Sequence, residues 1–404
     1  MKPILIFLCI LTTTASLSGQ SLDSLVQLAM ENNRQLDAFQ YQLTAAEANI
    51  ERQKAWAPPQ LQMAYGLLPV ETRVGPQALR LGAQQQLPWP GHLRAKTALA
   101  SSDTQLLKAE EDLTQIEIAF RVKTLYYAIY NLIRKKEVLD DFEVVFTEIR
   151  GDRLRKMESD RASYSDVLLA ERSIEEIDSE REQLNYRKEA IMHTLAYWIG
   201  REEIDELHFA DEFEEEIPNF IQWGEAELNY PTVSRIEFNR QKVVHKKEVN
   251  QWARKPQFTL GVDYIINRER TAVDIPDNGK NALMPRVGIS LPFFSREYRY
   301  TDQILKAELL TLDRYKEDET SKIRSEIETA QSRWHEAHTR YRSTLRQIET
   351  TEEILELIEW EIGSGKSSFF DYWKIKGDLL RYELQLLEIR EAMQTQKFTI
   401  EKFK

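Results

Sequence analysis

Cysteine is almost missing from this chain: Cys9 stands alone among 404 residues. It lies inside the apolar stretch Ile4–Leu11, which follows Lys2 and precedes a small polar stretch from Thr12 to Gln20. A basic start, an apolar run too short to span a bilayer and a small polar tail make an export signal, with cleavage expected near Ser18–Gln20. The mature chain then holds no cysteine. That excludes disulfides, thiolate metal sites, thiol nucleophiles and lipidation at an N-terminal cysteine.

Glycine and proline are scarce, with 14 and 13 residues, about half of their usual shares. Collagen-like, linker-rich and low-complexity chains are excluded, and a glycine-rich α/β enzyme is disfavoured. A basic excess is missing too: 54 Lys and Arg face 66 Asp and Glu, for a net charge of −12. Nucleic-acid binding therefore lacks its electrostatic footprint. No stretch beyond the export signal approaches the length of apolar sequence that a membrane-spanning helix needs. Membrane contact, if the chain makes any, falls to strands or to an amphipathic surface.

What is present is a pattern written twice. Trp56-Ala57-Pro58-Pro59-Gln60-Leu61 is answered by Trp252-Ala253-Arg254-Lys255-Pro256-Gln257-Phe258. Leu87-Pro88-Trp89 is answered by Leu291-Pro292-Phe293, and Ser163-Tyr164-Ser165-Asp166-Val167-Leu168 by Ser368-Phe369-Phe370-Asp371-Tyr372-Trp373. The order is kept, which reads as a duplication with one longer loop in the second copy. The chain thus divides into an export signal at 1–20, a first repeat at 21–200, an acidic linker at 201–224 and a second repeat at 225–404.

Each repeat opens with a helix, Ser21–Trp56 or Glu225–Ala253, stopped by Pro58-Pro59 or Pro256. Two strands follow in each, at 59–68 and 79–88, then at 257–266 and 284–292. In them apolar residues alternate with small or polar ones. The turns hold Pro69, Gly75 and Pro76, then Pro276, Asp277, Asn278 and Gly279. Long helical stretches come next: Leu93–Met157 and Tyr164–Trp198, then Tyr300–Ile362 and Phe369–Phe403, with tips at Glu158–Ser163 and Gly363–Ser368. The first would be about 98 Å long at 1.5 Å per residue, and a helix of that length needs a coiled-coil or barrel partner. The fold class is mainly α with a small β part.

The strands match the roughly 9–11 residues that cross a bilayer at a tilt, and their alternation is that of a transmembrane barrel. Four strands cannot close a barrel, and an open sheet edge cannot sit in lipid. Either the strands form two soluble hairpins, or several chains share one barrel; three chains would supply twelve strands. Trp56, Trp89, Trp252, Phe293 and Phe294 near the strand ends favour the barrel. Arg80, Gln84, Asp263 and Ser290, on the polar side of the alternation, would then face its lumen.

Several further segments carry a family resemblance: Leu28-Ala29-Met30-Glu31-Asn32-Asn33-Arg34-Gln35-Leu36, Ala45-Ala46-Glu47-Ala48, Pro59-Gln60-Leu61 and Gln86-Leu87-Pro88-Trp89-Pro90-Gly91. Asp166-Val167-Leu168-Leu169-Ala170 and the run from Gly363 to Asp371 complete the set. In this order, over essentially the whole mature chain, the sequence resembles the TolC family of outer-membrane efflux channels, and its Pro88-Trp89 segment most resembles the cation-efflux branch. The resemblance implies a homotrimer with a shared twelve-stranded barrel in outer-membrane lipid and a long periplasmic α-helical barrel. It also implies a tripartite pump, in which a periplasmic adaptor joins the channel to an inner-membrane transporter of the RND type. The channel would be a passive duct without cofactor or catalysis, serving metal cations or small toxic compounds.

The same resemblance implies a periplasmic gate of acidic residues, with Asp371 at the matching position and Asp166 as its first-repeat counterpart. It makes Arg161, Ala162, Ser163, Gly363, Ser364, Gly365 and Lys366 candidates for adaptor contact. Plainer roles compete. An Asp in a first helical turn favours the helix dipole, and Gly, Ser and Lys at a tip make a tight turn. The sequence departs from the family in its longer second loop, Asn267–Leu283, and in Trp373 and Lys374 where smaller or aliphatic residues are usual.

Two motifs fail. His335-Glu336-Ala337-His338 has the wrong spacing for a zinc-protease pair, and no metal site is expected. Gly365-Lys366-Ser367 resembles the end of a phosphate-binding loop, but Trp360 stands where that loop needs glycine and no strand precedes it. The rival reading is a soluble periplasmic coiled-coil adaptor or scaffold. Helices on both sides of each strand pair, and a helical C-terminal stretch, disfavour it. No nucleophile–base pairing supports an enzyme.

Overall fold

The computed structural model describes residues 22–204, 207, 209, 230–271, 274–292, 295–363 and 366–403. The segments expected to be an export signal and, for the most part, an acidic linker, together with Phe293, Phe294, Ser364 and Gly365, lie outside the described residues. In chain order the elements are α1 (Leu22–Asn32), α2 (Arg34–Lys54), β1 (Gln60–Thr72), β2 (Gly75–Leu87), α3 (Pro90–Met157) and α4 (Tyr164–Trp198). Then come α5 (Pro231–Ala253), β3 (Gln257–Asn267), β4 (Ala282–Ser290), α6 (Glu297–Gly363) and α7 (Phe369–Glu401). None of the described helices is long and apolar enough to cross a membrane.

Two local departures from the sequence reading have clear causes. The single helix expected over Ser21–Trp56 is broken at Asn33. The Asn33 side chain accepts from the Gln35 amide at 2.9 Å and donates to the Trp198 carbonyl at 3.1 Å. An Asn offers the backbone this alternative to a continuous helical ladder. Pro69, expected in the first turn, lies within β1, where the β1–β2 register shifts between Tyr65 and Val70. β1 is an edge strand, and an edge with a break in its ladder is where a residue without N–H is tolerated. The hairpin consequently runs on to Thr72, which pairs with Gly75 across a tight turn.

The chain forms two compact units, and each draws on both halves of the sequence. One comprises residues 37–114 and 223–325 and contains the sheet. All neighbouring strands are antiparallel, in the order β1-β2-β3-β4, so β2 joins the two hairpins to each other through β3. Its helical segments are tied by polar contacts. Lys242 meets Asp103 at 2.6 Å, Lys246 meets Glu308 at 2.9 Å and Arg240 meets Asp313 at 3.0 Å. Arg254 and Asn250 both hold Asp302. Exposed pairs of this kind contribute about 0–1 kcal/mol each. They fix register more than they stabilise.

The other unit comprises the described residues within 22–36, 115–209 and 326–403. It has an apolar core: Leu132, Leu139, Phe142 and Phe146 of α3 pack with Ile177 and Leu184 of α4, Leu355 of α6 and Leu379 of α7. Leu132, Leu139 and Phe146 recur at the seven-residue interval that keeps one helix face on its partners. A second cluster joins Trp334, Ala337 and Tyr341 of α6 to Ile389 and Met393 of α7. Trp334 takes both histidines of the rejected motif: His338 stacks on it at 5.0 Å and His335 meets it edge-on at 5.4 Å.

Candidate functional site

The sheet gathers most of its large apolar side chains on one face. The register places Leu61, Met63 and Tyr65 opposite Ala83, Leu81 and Leu79. Those residues in turn face Val262, Tyr264 and Ile266, and then Pro285 and Leu283. Leu61 is 83% exposed, Met63 74% and Leu283 69%. A contiguous row of large exposed apolar side chains is the mark of a surface that meets protein or membrane.

The opposite face is polar. It carries Gln60, Gln62, Arg80, Gln84, Gln86, Gln257, Thr259, Asp263, Arg286 and Ser290. All four residues expected on the polar side from sequence, Arg80, Gln84, Asp263 and Ser290, share this face. The register brings three of them into one network. Arg80 donates to Asp263 at 2.6 Å, and Arg286 lies 3.8 Å from the same carboxylate oxygen. Arg286 donates to Gln84 at 3.1 Å, and Gln84 donates to Gln60 at 2.6 Å. Ser290 sits apart, opposite Gln257, whose side chain accepts from Gln86 at 2.7 Å.

Two glycines make the network possible. A Cβ at Gly82 would come within 2.6 Å of the Asp263 carboxylate, and one at Gly261 within 2.9 Å of the Ala83 carbonyl. Without Gly82 the Asp263 side chain, 3% exposed, could not lie down on the sheet. Sequence reading did not single out Arg286, although it shares the parity of Ser290.

Aromatic residues cluster at one end of the strands. The Trp89 indole donates to the Pro256 carbonyl at 2.6 Å and meets Phe258 edge-on at 5.8 Å. Lys255 lies over the Trp252 ring at 3.6 Å. Trp56 is exposed.

The helical tips hold the other expected residues. Asp166 and Asp371 occupy the same local position, the third residue of α4 and of α7, and both close capping boxes with Ser163 and Ser368. The Asp371 carboxylate accepts from the Ser368 amide at 3.1 Å and from its hydroxyl at 2.6 Å. These donors hold its pKa below the usual carboxylate range. Ser163 and Ser368 each satisfy a free amide of the following helix. Ser-x-x-Asp is itself a sequence signal for such a cap.

Among the proposed adaptor contacts, Arg161 and Lys366 are exposed and Ala162 is half-buried. α3 ends in a Schellman motif: Asp160 takes φ 57°, and the Arg161 amide donates to the Lys156 carbonyl at 2.8 Å. Gly363 closes α6, and the Lys366 amide donates to the Glu361 carbonyl at 3.0 Å. Ser364 and Gly365 lie outside the described residues.

Beside the second tip, α7 is anchored by contacts that sequence reading missed. Arg153 lies 4.4 Å over the Phe369 ring and Arg172 lies 4.7 Å over the Trp373 ring. The Trp373 indole donates to Ser173 of α4 at 2.9 Å. Burial, with Glu359 adding to it, pushes the Tyr372 hydroxyl up to about 12. Tyr372, Phe369, Asp152, Arg153, Lys156 and Glu359 line a cavity of about 350 Å³.

No family model matches the chain, and no curated protein matches it. Solved structures do. The chain is similar to CusC, described with its transmembrane channel formation, at 14% identity and a TM-score of 0.77, over 95% of this chain and 91% of that one. It is similar to the outer-membrane channel OprN at 16% identity and a TM-score of 0.77, over 95% and 89%. It is also similar to the outer membrane protein VceC of Vibrio cholerae at 15% identity and a TM-score of 0.71, over 95% of each chain. A mostly helical chain with one small antiparallel sheet, superposable on these proteins over nearly its whole length, has the fold of the outer-membrane channels that its sequence resembles.

Proposed function

We propose that the protein is the outer-membrane channel of a tripartite efflux pump, a passive duct that does no chemistry. The observation that carries this reading is the sheet: one face exposes Leu61, Met63, Val287 and Ile289, and the other is polar and tightly hydrogen-bonded. An apolar outer band with a wet inner face is what a barrel in lipid requires. The chain's own four strands leave two open edges. Lipid does not tolerate such edges, so three copies close one barrel. Channel-fold neighbours support the same assignment.

In this reading the chain is a duplicated unit. Its element order recurs from β1–α4 to β3–α7, and both tips end in the same capping box. The tips, from Arg161 to Ser163 and from Gly363 to Lys366, meet a periplasmic adaptor that leads to an inner-membrane transporter. Three copies of Asp371, supported by Asp166, ring the periplasmic gate. The capping role does not bury the carboxylate, since Asp371 is exposed, and its charge remains available to a gate.

The reading is tested by membrane fractionation followed by sizing in detergent. A trimer in the outer-membrane fraction is the expected result; a soluble monomer would refute it and return the rival adaptor or scaffold reading. Conductance of Asp371→Ala tests the gate, and an ion preference unchanged from the wild type would remove Asp371 from that role.

A further inference from the structure

We infer that the polar face of the sheet holds a fixed positive charge and makes the barrel lumen favour anionic solutes. This rests on the reading that the polar face lines the lumen. Along the facing rows of the strands, Arg80, Asp263 and Arg286 are the charged groups of that face, and the rest are Gln, Thr, Ser, Gly, Ala and apolar residues. Glu71, near the turn, is matched by Arg270 at 2.8 Å.

Two guanidiniums therefore share one carboxylate. Arg80 takes the short contact with Asp263, at 2.6 Å, and Arg286 stands 3.8 Å from the same oxygen. One positive charge per chain is left over. Exposure is distributed to match. The Asp263 side chain is 3% exposed, whereas Arg80 is 46% and Arg286 36% exposed. A solute passing over this face meets N–H donors and not the acceptor beneath them. The arrangement is built in, because Gly82 leaves room for the carboxylate to lie flat.

Gln84 holds one Arg286 nitrogen at 3.1 Å, and the remaining guanidinium donors suit planar anionic groups such as carboxylates. Repeated in each chain of a barrel, the spare charge becomes a ring. Its field attracts anions and opposes bare metal cations, within a screening distance of about 10 Å at 0.1 M salt.

The test is the reversal potential of the purified full-length protein in a planar bilayer under a potassium chloride gradient. Outer-membrane insertion of each variant is scored first. Arg286→Gln is expected to shift the potential toward potassium, Arg286→Lys to stay near the wild type, and Asp263→Asn to shift it toward chloride. The shifts should shrink in molar salt. An unchanged potential in Arg286→Gln, with conducting channels, overturns the charged ring and leaves the channel reading intact. Failure of the wild-type chain to reach the outer membrane overturns the channel reading and this inference with it.

Discussion

At the first tip Tyr164 stands 59% exposed at the start of α4, while at the second tip its counterpart Phe369 is 8% exposed beneath the Arg153 guanidinium. Two positions on in sequence the carboxylates match again: Asp166 and Asp371 close the same capping box. Leu168 is exposed, whereas Trp373 packs on α4. The contrast separates two kinds of requirement. Ending and starting a helix poses the same backbone problem at both tips, and the same Ser-x-x-Asp solves it. What the first turn rests on is a packing matter, and there the two sequences have diverged. The tip of α7 is tied to α3 and α4 by aromatic and cationic contacts that α4 does not reproduce at its own start.

The sharpest way to break this contrast is to truncate the paired aromatics. Phe369→Ala is expected to cost about 3 kcal/mol or more, the usual loss for a buried Phe, and Tyr164→Ala to stay within about 0.5 kcal/mol, as exposed substitutions do. Denaturant unfolding of the detergent-solubilised protein measures both; equal losses would erase the distinction.

A smaller effect is expected from Trp373→Phe, which keeps the ring but removes the hydrogen bond to Ser173 and weakens the stack with Arg172. About 1–2 kcal/mol should be lost. A double-mutant cycle of Trp373→Ala with Arg172→Ala should show coupling, and strict additivity would mean that the stack contributes nothing.

The caps should behave alike where the packing does not. Ser163→Ala and Ser368→Ala are each expected to cost about 1 kcal/mol. A difference of several-fold between them would show that the two boxes are not equivalent.

The smallest effect is pH-dependent. The Ser368 donors depress the Asp371 pKa in the folded chain. Its contribution is therefore present above the ordinary carboxylate pKa and is lost as pH falls through the depressed folded value. In Asp371→Asn the acid limb of the stability profile should flatten slightly. An unchanged limb would mean that the carboxylate form adds nothing to the cap.

Much of this was legible in the sequence because it depends on period. Alternation marks all four strands, and long runs with no internal proline and little glycine mark the long helices. The same alternation put Arg80, Gln84, Asp263 and Ser290 on one face. Register was not legible, because strand parity does not say which residues stand opposite. Parity puts Arg286 on the face of Ser290, but that it shares the Asp263 carboxylate with Arg80 depends on the pairing of β3 with β4. The break at Asn33 was hidden because its cause is a carbonyl far away in sequence, on Trp198. Pro69 was misplaced for a similar reason: a proline marks a turn locally, and only sheet position reveals an edge strand with a broken ladder. The Trp373 anchor depends on Ser173 and Arg172, which no local pattern links to it.

The near-absence of cysteine offers the most direct test of the central assignment, that alternate strand residues face lipid and water. Cys9 is the one cysteine of the sequence, so Cys9→Ser, if Cys9 is not already removed with the expected export signal, gives a cysteine-free background. Single substitutions along β3, Gln257→Cys and Thr259→Cys against Leu260→Cys and Val262→Cys, can be treated in intact outer membranes with a membrane-impermeant, water-soluble maleimide. Labelling is expected at 257 and 259 and protection at 260 and 262. Uniform labelling along the strand, as in a sheet wetted on both faces, would contradict it.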